Sequence, residues 1–201
     1  MKNIFLTGIS GCGKSTLINK ILDTLKIKYS GYRTRPYFIK DINKGFYMEG
    51  YIKSKNNFSP ISVKFENEKP IPILETFEVL GCEILRESIK YSNTKLILMD
   101  EIGILEDGAL EFKKEIINCI ESKKIVLGVI KKKDNSFLNY LKNREDIIVF
   151  DIENKNNQQL DEIYFYILEE IKKYMGRWWV LWGDIKSLQR YYYVWYFLWE
   201  F

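Results

Sequence analysis

The segment "GISGCGKST", residues 8–16, sets glycines at 8, 11 and 13 and then ends on a lysine and two hydroxyls. The spacing from Gly8 to Ser15 is G-x-x-x-x-G-K-S, the Walker A pattern of phosphate-binding loops. What surrounds the segment gives that spacing its weight. "NIFLTG" (3–8) is a short apolar run ending in glycine, which predicts a buried strand. "STLINKILDTLK" (15–26) places Leu17, Ile18, Ile21, Leu22 and Leu25 at helical spacing. The loop therefore joins a strand to a helix, the setting in which such a loop holds an anion.

Glycines adopt torsions that other residues resist, so successive N–H groups can turn inward and form an anion nest. The positive end of the following helix points at the same place. Lys14 adds a mobile cation for the β- and γ-phosphates, and the Ser15 hydroxyl suits Mg²⁺. Gly8, Ile9, Ser10, Gly11, Cys12, Gly13, Lys14, Ser15 and Thr16 are the candidate nucleotide-binding residues. Cys12 is read either as a small residue that fits the loop or as a thiol activated by its electropositive surroundings.

Further along, short apolar runs alternate with amphipathic stretches. "TKLILMDE" (94–101), "KIVLGVI" (124–130) and "DIIVFDI" (146–152) read as buried strands. Residues 76–91, 108–122, 136–143 and 157–175 read as helices. Continuous apolar strands interleaved with helices predict a three-layer α/β sandwich around a mostly parallel sheet. Residues 31–52 alternate aromatic and polar residues around "DINKG" and predict a hairpin insertion. Residues 53–74 read as irregular with a short strand at 61–65, since three of the four prolines lie there.

Composition narrows the chemistry. The 201 residues suggest one domain with an appendage, and a net charge of +4 is too mild for a dedicated nucleic-acid binder. The chain has no histidine, which excludes Ser-His-Asp and Cys-His catalysis and leaves proton transfer to carboxylate, Lys, Tyr or water. Three cysteines with no C-x-x-C pair argue against a disulfide framework or a zinc site and for a reducing, cytoplasmic setting. The short apolar start does not read as a signal peptide, and no stretch has the length of a transmembrane segment.

"LILMDEIGILE" (96–106) supplies the complement to the loop. Asp100, ending a buried strand, occupies a Walker B position and would hold Mg²⁺ opposite Ser15. Glu101 follows directly, where a second acid either orients the attacking water or caps the next turn. "DEIG" also satisfies the D-x-x-G of switch GTPases, but no N-K-x-D follows, which argues against a switch GTPase.

Together these segments resemble the nucleoside-triphosphatase family first described from thermophiles, also called the cancer-related nucleoside-triphosphatases. The resemblance runs from residue 1 to about 175. It rests on "FLTGISGCGKSTLINKI", "GYRTRPY" with "KGFYMEG", "LILMDEIGILE", "KKIVLGVIKKK" and "DIIVFDIENKNNQQL". It implies Mg²⁺-dependent hydrolysis of ATP, GTP and other nucleoside 5′-triphosphates to diphosphate and phosphate, with loose base choice. It carries over Gly8, Gly11, Gly13, Lys14, Ser15, Thr16, Asp100 and Glu101; Glu106 matches a further acid, with a structural role. Where the family commonly has T-x-E-x-R, this chain has Thr34, Arg35 and Pro36, so that acid is missing.

"SGYRTRP" also resembles the substrate segment of guanylate kinases, so the alternative is a nucleotide or small-molecule kinase with residues 31–66 as acceptor site. A third possibility is a nucleotide-holding adaptor. Arg35, and less so Arg33, is a candidate for stabilising γ-phosphate charge; either can equally be an ion-paired or solvated strand residue. "KKK" (131–133) reads as a solvated loop or a phosphate contact, and Asn154 and Lys155 lie where a base could sit. From residue 176 the composition changes: all five tryptophans lie in 176–201. That tail reads as an interfacial anchor, as an oligomer contact, or as sequence past the end of the domain.

Overall fold

A computed structural model of the chain describes residues 3–51, 57–66 and 68–176. The expectations for the tail from residue 177 onward lie outside the described residues.

The sheet has eight strands: β1 (Asn3–Thr7), β2 (Tyr29–Ile39), β3 (Ile42–Gly50), β4 (Phe58–Val63), β5 (Ile71–Pro72), β6 (Leu96–Ile102), β7 (Ile125–Ile130) and β8 (Ile147–Asp151). Their order is β5-β4-β3-β2-β6-β7-β1-β8. From β2 to β8 every pairing is parallel. From β2 outward to β5 every pairing is antiparallel.

The apolar runs are continuous because each strand is covered on both faces. Ile4 and Leu6 of β1, Leu96 and Leu98 of β6, and Leu127 and Val129 of β7 pack with Leu17, Ile18 and Ile21 of α1 (Lys14–Leu25) and Ile167 and Ile171 of α6 (Asn157–Tyr174). The intervening Phe5, Ile97, Met99 and Val126 pack on the opposite face with Ile84 and Leu85 of α3 (Cys82–Lys90) and Phe112 and Ile116 of α4 (Leu110–Glu121). A strict period of two thus divides each run between two cores.

Two differences from the sequence reading have clear causes. The hairpin forms, but its first strand is also a member of the parallel sheet: Tyr29–Arg33 pair with Leu96–Asp100. The helix expected from 76 is compound. It consists of α2 (Leu74–Thr76), a π-helical turn over Phe77–Gly81, and α3. The turn buries Phe77 against Phe112, with ring centroids 5.3 Å apart, and Gly81 lies where a Cβ would strike the same ring. A short helix, α5 (Ser136–Lys142), is capped by the Asn135 side chain, which accepts from Phe137 and Leu138 N–H. Asn156 and Gln159 cap α6 reciprocally. Among the described residues no helix is long and apolar enough to cross a membrane.

Candidate active site

Residues 8–13 connect the end of β1 to the start of α1. Gly11 and Gly13 take φ of +81° and +95°, a region costly for side-chain-bearing residues, and Gly13 immediately precedes the helix. No side chain caps that helix start. The first-turn N–H groups are therefore without a side-chain cap, a helix start of the kind that can take an anion. Lys14 is only 8% exposed, and its Nζ donates to the carbonyls of Gly8 (2.9 Å) and Ile9 (2.7 Å). The cation is folded over its own loop, where triphosphate oxygens would compete for it. The Cys12 sulfur lies 3.9 Å from the same Nζ.

The acidic strand end reaches this loop through a break in register. Met99 faces Gly128 and Ile102 faces Ile130, so Asp100 and Glu101 together span a single residue of β7. Such bulges re-aim side chains at sheet ends. Asp100 is 6% exposed and lies on the α1 side, within hydrogen-bonding influence of the Ser15 hydroxyl. Its carboxyl is pushed above the ordinary range first by burial; Arg33 and Ser15 pull it down, and Glu101 pushes it further up. A buried carboxylate next to a hydroxyl offers two hard oxygen donors, which fits a magnesium ion. No cluster of three or more His, Cys, Asp or Glu side chains occurs among the described residues. A metal here would complete its shell with phosphate oxygens and water.

Glu101 faces away from Asp100 and pairs with Lys131 at 3.1 Å. Beyond it Glu106, 3% exposed, turns its carboxyl back to accept the Gly103 N–H and its own. Burial raises this carboxyl to about 7 despite those bonds. Glu106 thereby ties the 103–106 turn to the strand end, which suits its structural reading. The buried Tyr32 hydroxyl has no hydrogen-bond partner, and burial beside Glu106 and Asp100 holds it well above the ordinary phenol range.

The two arginines part company. Arg35 is half-exposed and donates to Glu49 (3.1 Å) and the Tyr51 hydroxyl (3.4 Å). Arg33 is 7% exposed and lies opposite Asp100 in the β2–β6 register. The lysine run is also divided. Lys131 reaches Glu101, whereas Lys132 bridges Asp151 and Glu153, each at 2.8 Å. The β8 end abuts the loop: a Cβ at Gly8 would stand 3.4 Å from the Glu153 nitrogen. Asn154, with φ +57°, turns the chain there toward α6. Sequence reasoning missed the Lys131–Glu101 pair and the burial of Arg33. Both depend on which strands adjoin, and no local pattern encodes that.

The model of the family described as NTPase matches residues 3–165. The nucleoside-triphosphatase THEP1 of Thermotoga maritima is 30% identical over 167 residues, covering 80% of this chain and 92% of that protein. The human cancer-related nucleoside-triphosphatase is 26% identical over 177 residues, covering 79% and 92%. Among solved structures, THEP1 from Aquifex aeolicus has a TM-score of 0.63 at 24% identity, covering 84% of this chain and 99% of that one. The human protein's solution structure gives 0.67 at 22%, covering 86% and 98%, so these two likenesses speak for the fold. The kinase alternative finds no support: residues 31–50 are strands integral to the sheet, not a separate acceptor lobe, and these relatives are named triphosphatases. With its loop, its acidic strand end and its matched length, the chain belongs to the NTPase family of nucleoside-triphosphatases.

Proposed function

We propose that residues 1–175 form a domain that hydrolyses nucleoside 5′-triphosphates to diphosphate and phosphate with Mg²⁺, accepting ATP, GTP and other bases. The observation that carries this is the convergence of Lys14, Ser15 and Asp100 at the uncapped start of α1. The amides of residues 9–16 and Lys14 hold the phosphates, and the β8–α6 turn near Asn154 borders the base. Ser15 and Asp100 hold the metal, which when bound screens the phosphate oxygens and withdraws their charge. Glu101 orients a water in line with the γ-phosphorus and receives its proton. The water oxygen bonds to phosphorus as the bond to the β–γ bridging oxygen breaks, and the diphosphate leaves with that electron pair. Lys131 keeps Glu101 oriented at the strand end. The free thiols of Cys12, Cys82 and Cys119 agree with a cytoplasmic setting.

Phosphate release from ATP, GTP, CTP and UTP with Mg²⁺ tests this, wild type against Glu101→Gln. Wild type should turn over several nucleotides. The variant should lose on the order of 10²- to 10⁴-fold in kcat, the range for general-base catalysis, while still binding nucleotide. Tight binding without release in both proteins would remove hydrolysis from the reading.

A further inference from the structure

Arg33 has no conventional reason to be where it is. It is 93% removed from solvent, and its Nε has no hydrogen-bond partner; the acid whose charge it meets is Asp100, its register neighbour on β6, with which it makes no direct ion pair. A buried guanidinium with an unsatisfied Nε, whose facing carboxylate is set beside a metal-binding hydroxyl, is short of acceptors, so a position that keeps one implies an anion that arrives later. The backbone shows where that anion would sit. Arg33 is the last residue of β2 in parallel register with β6, where it pairs with Asp100. Strand neighbours in register point to the same face, and on that face lie α1 and the Ser15 hydroxyl. Arg33 also lines an open groove with Asn19 and Asp23 of α1, a groove in which Arg35 and Tyr51 stand as well. The groove thus begins one turn along α1 from Ser15, on the side of the metal-binding pair away from β8.

On the triphosphatase reading, a triphosphate with its base by β8 and its phosphates on the loop would direct its terminal phosphate along the sheet end toward β6 and β2, where Arg33 stands beside Asp100. We propose that Arg33, and not Arg35, contacts the γ-phosphate of the bound triphosphate. It then distinguishes triphosphate from diphosphate and stabilises the charge that builds on the γ-phosphoryl oxygens during transfer to water. Arg35 lacks the qualification, since Glu49 and Tyr51 already occupy it and water reaches it. The inference rests on the triphosphatase reading above for its ligand, but it is tested by binding.

The experiment measures Mg²⁺-dependent affinity for a non-hydrolysable ATP analogue and for ADP in wild type, Arg33→Ala, Arg33→Lys and Arg35→Ala. A charge-assisted hydrogen bond corresponds to roughly 10- to 100-fold in affinity. Arg33→Ala should lose that much for the triphosphate analogue and little for ADP. Arg33→Lys should recover part of the loss, and Arg35→Ala should keep the triphosphate preference. Added guanidinium should raise phosphate release by Arg33→Ala. Because each preference is a ratio within one protein, a general loss of folded protein does not imitate the result. Equal losses for both ligands, an unchanged ratio in Arg33→Ala, or transfer of the effect to Arg35→Ala would overturn the assignment. Wild type that prefers triphosphate through Arg33 but releases no phosphate would sink the hydrolysis reading and leave the contact standing.

Discussion

The Lys14 ammonium is buried against the carbonyls of Gly8 and Ile9, while the Asp100 and Glu106 carboxyls are buried with their pKa values raised by desolvation. The glycine-rich loop and the acidic turn thus stand at the same end of one sheet with opposite electrostatic designs. The loop's positive character comes from backbone dipoles and one lysine whose partners are neutral carbonyls. The turn's negative character comes from side chains that the fold holds in unfavourable surroundings. A loop built from backbone donors keeps its field across a wide pH range, whereas a turn built from desolvated acids makes its own stability depend on pH.

The first test of that contrast has the largest effect. Lys14→Met keeps the length and the apolar stem but removes the cation. Loss of one preorganised charge from a phosphoryl-transfer site costs about 10²- to 10³-fold in rate, and Lys14→Met should fall at least that far. Phosphate release and nucleotide titration measured from pH 6 to 9 should show the deficit nearly constant. A deficit that vanished toward one end of the range would mean the loop also depends on a titrating group.

The second test concerns the turn. The Glu106 carboxyl titrates near 7 in the folded protein, above the ordinary 4.5, so the folded state holds its proton more tightly than the unfolded chain. Between those values the unfolded state has released the proton and the folded state has not, so stability falls as pH rises through this window. The penalty is complete above the folded value, at roughly 3 kcal/mol if the full shift is realised. Glu106→Gln cannot lose a proton, so its melting temperature should fall less than that of wild type from pH 5 to pH 8. The difference should be on the order of 5 °C or more for a domain of this size. Parallel melting curves for the two proteins would show that something other than Glu106 sets the pH dependence.

The same contrast explains what could be read from the sequence. The glycine-rich loop is local: nine consecutive residues carry its torsions, its cation and its hydroxyl, and the strands and helices beside it announce themselves by period. Asp100 and Glu101 were legible as adjacent acids at a strand end, but the bulge that turns them apart arises from pairing with β7, a partner about 30 residues away. Arg33 and Arg35 look alike in "RTR", yet period two sends both to one face of β2. They differ only because Arg33 still pairs with β6, while Arg35 has passed beyond its end. The β4–β5 region was blurred by Pro60, Pro70 and Pro72, although Pro60 and Pro72 lie within strands toward the antiparallel edge of the sheet, where lost N–H donors are tolerated.

The finest test separates two neighbours in the lysine run. Lys131 and Lys132 are both ion-paired and both partly exposed, with 38% and 46% of their side chains accessible. Exposed pairs contribute little to stability, so replacing either by Met should leave the melting temperature nearly unchanged. Their partners differ in consequence. Lys131 holds Glu101, so on the proposed mechanism its loss would free the carboxylate that orients water, and Lys131→Met should lower kcat several-fold with KM unchanged. Lys132 is committed to Asp151 and Glu153 on the opposite flank of the loop, where no reacting atom is expected. Lys132→Met should leave kcat intact, and any change should appear in KM, through the β8 turn where the proposed function puts the base. Equal effects on kcat from the two substitutions would mean that the run acts through its summed charge. The geometry argues otherwise, because each ammonium is already directed to its own acid on opposite sides of β7's end.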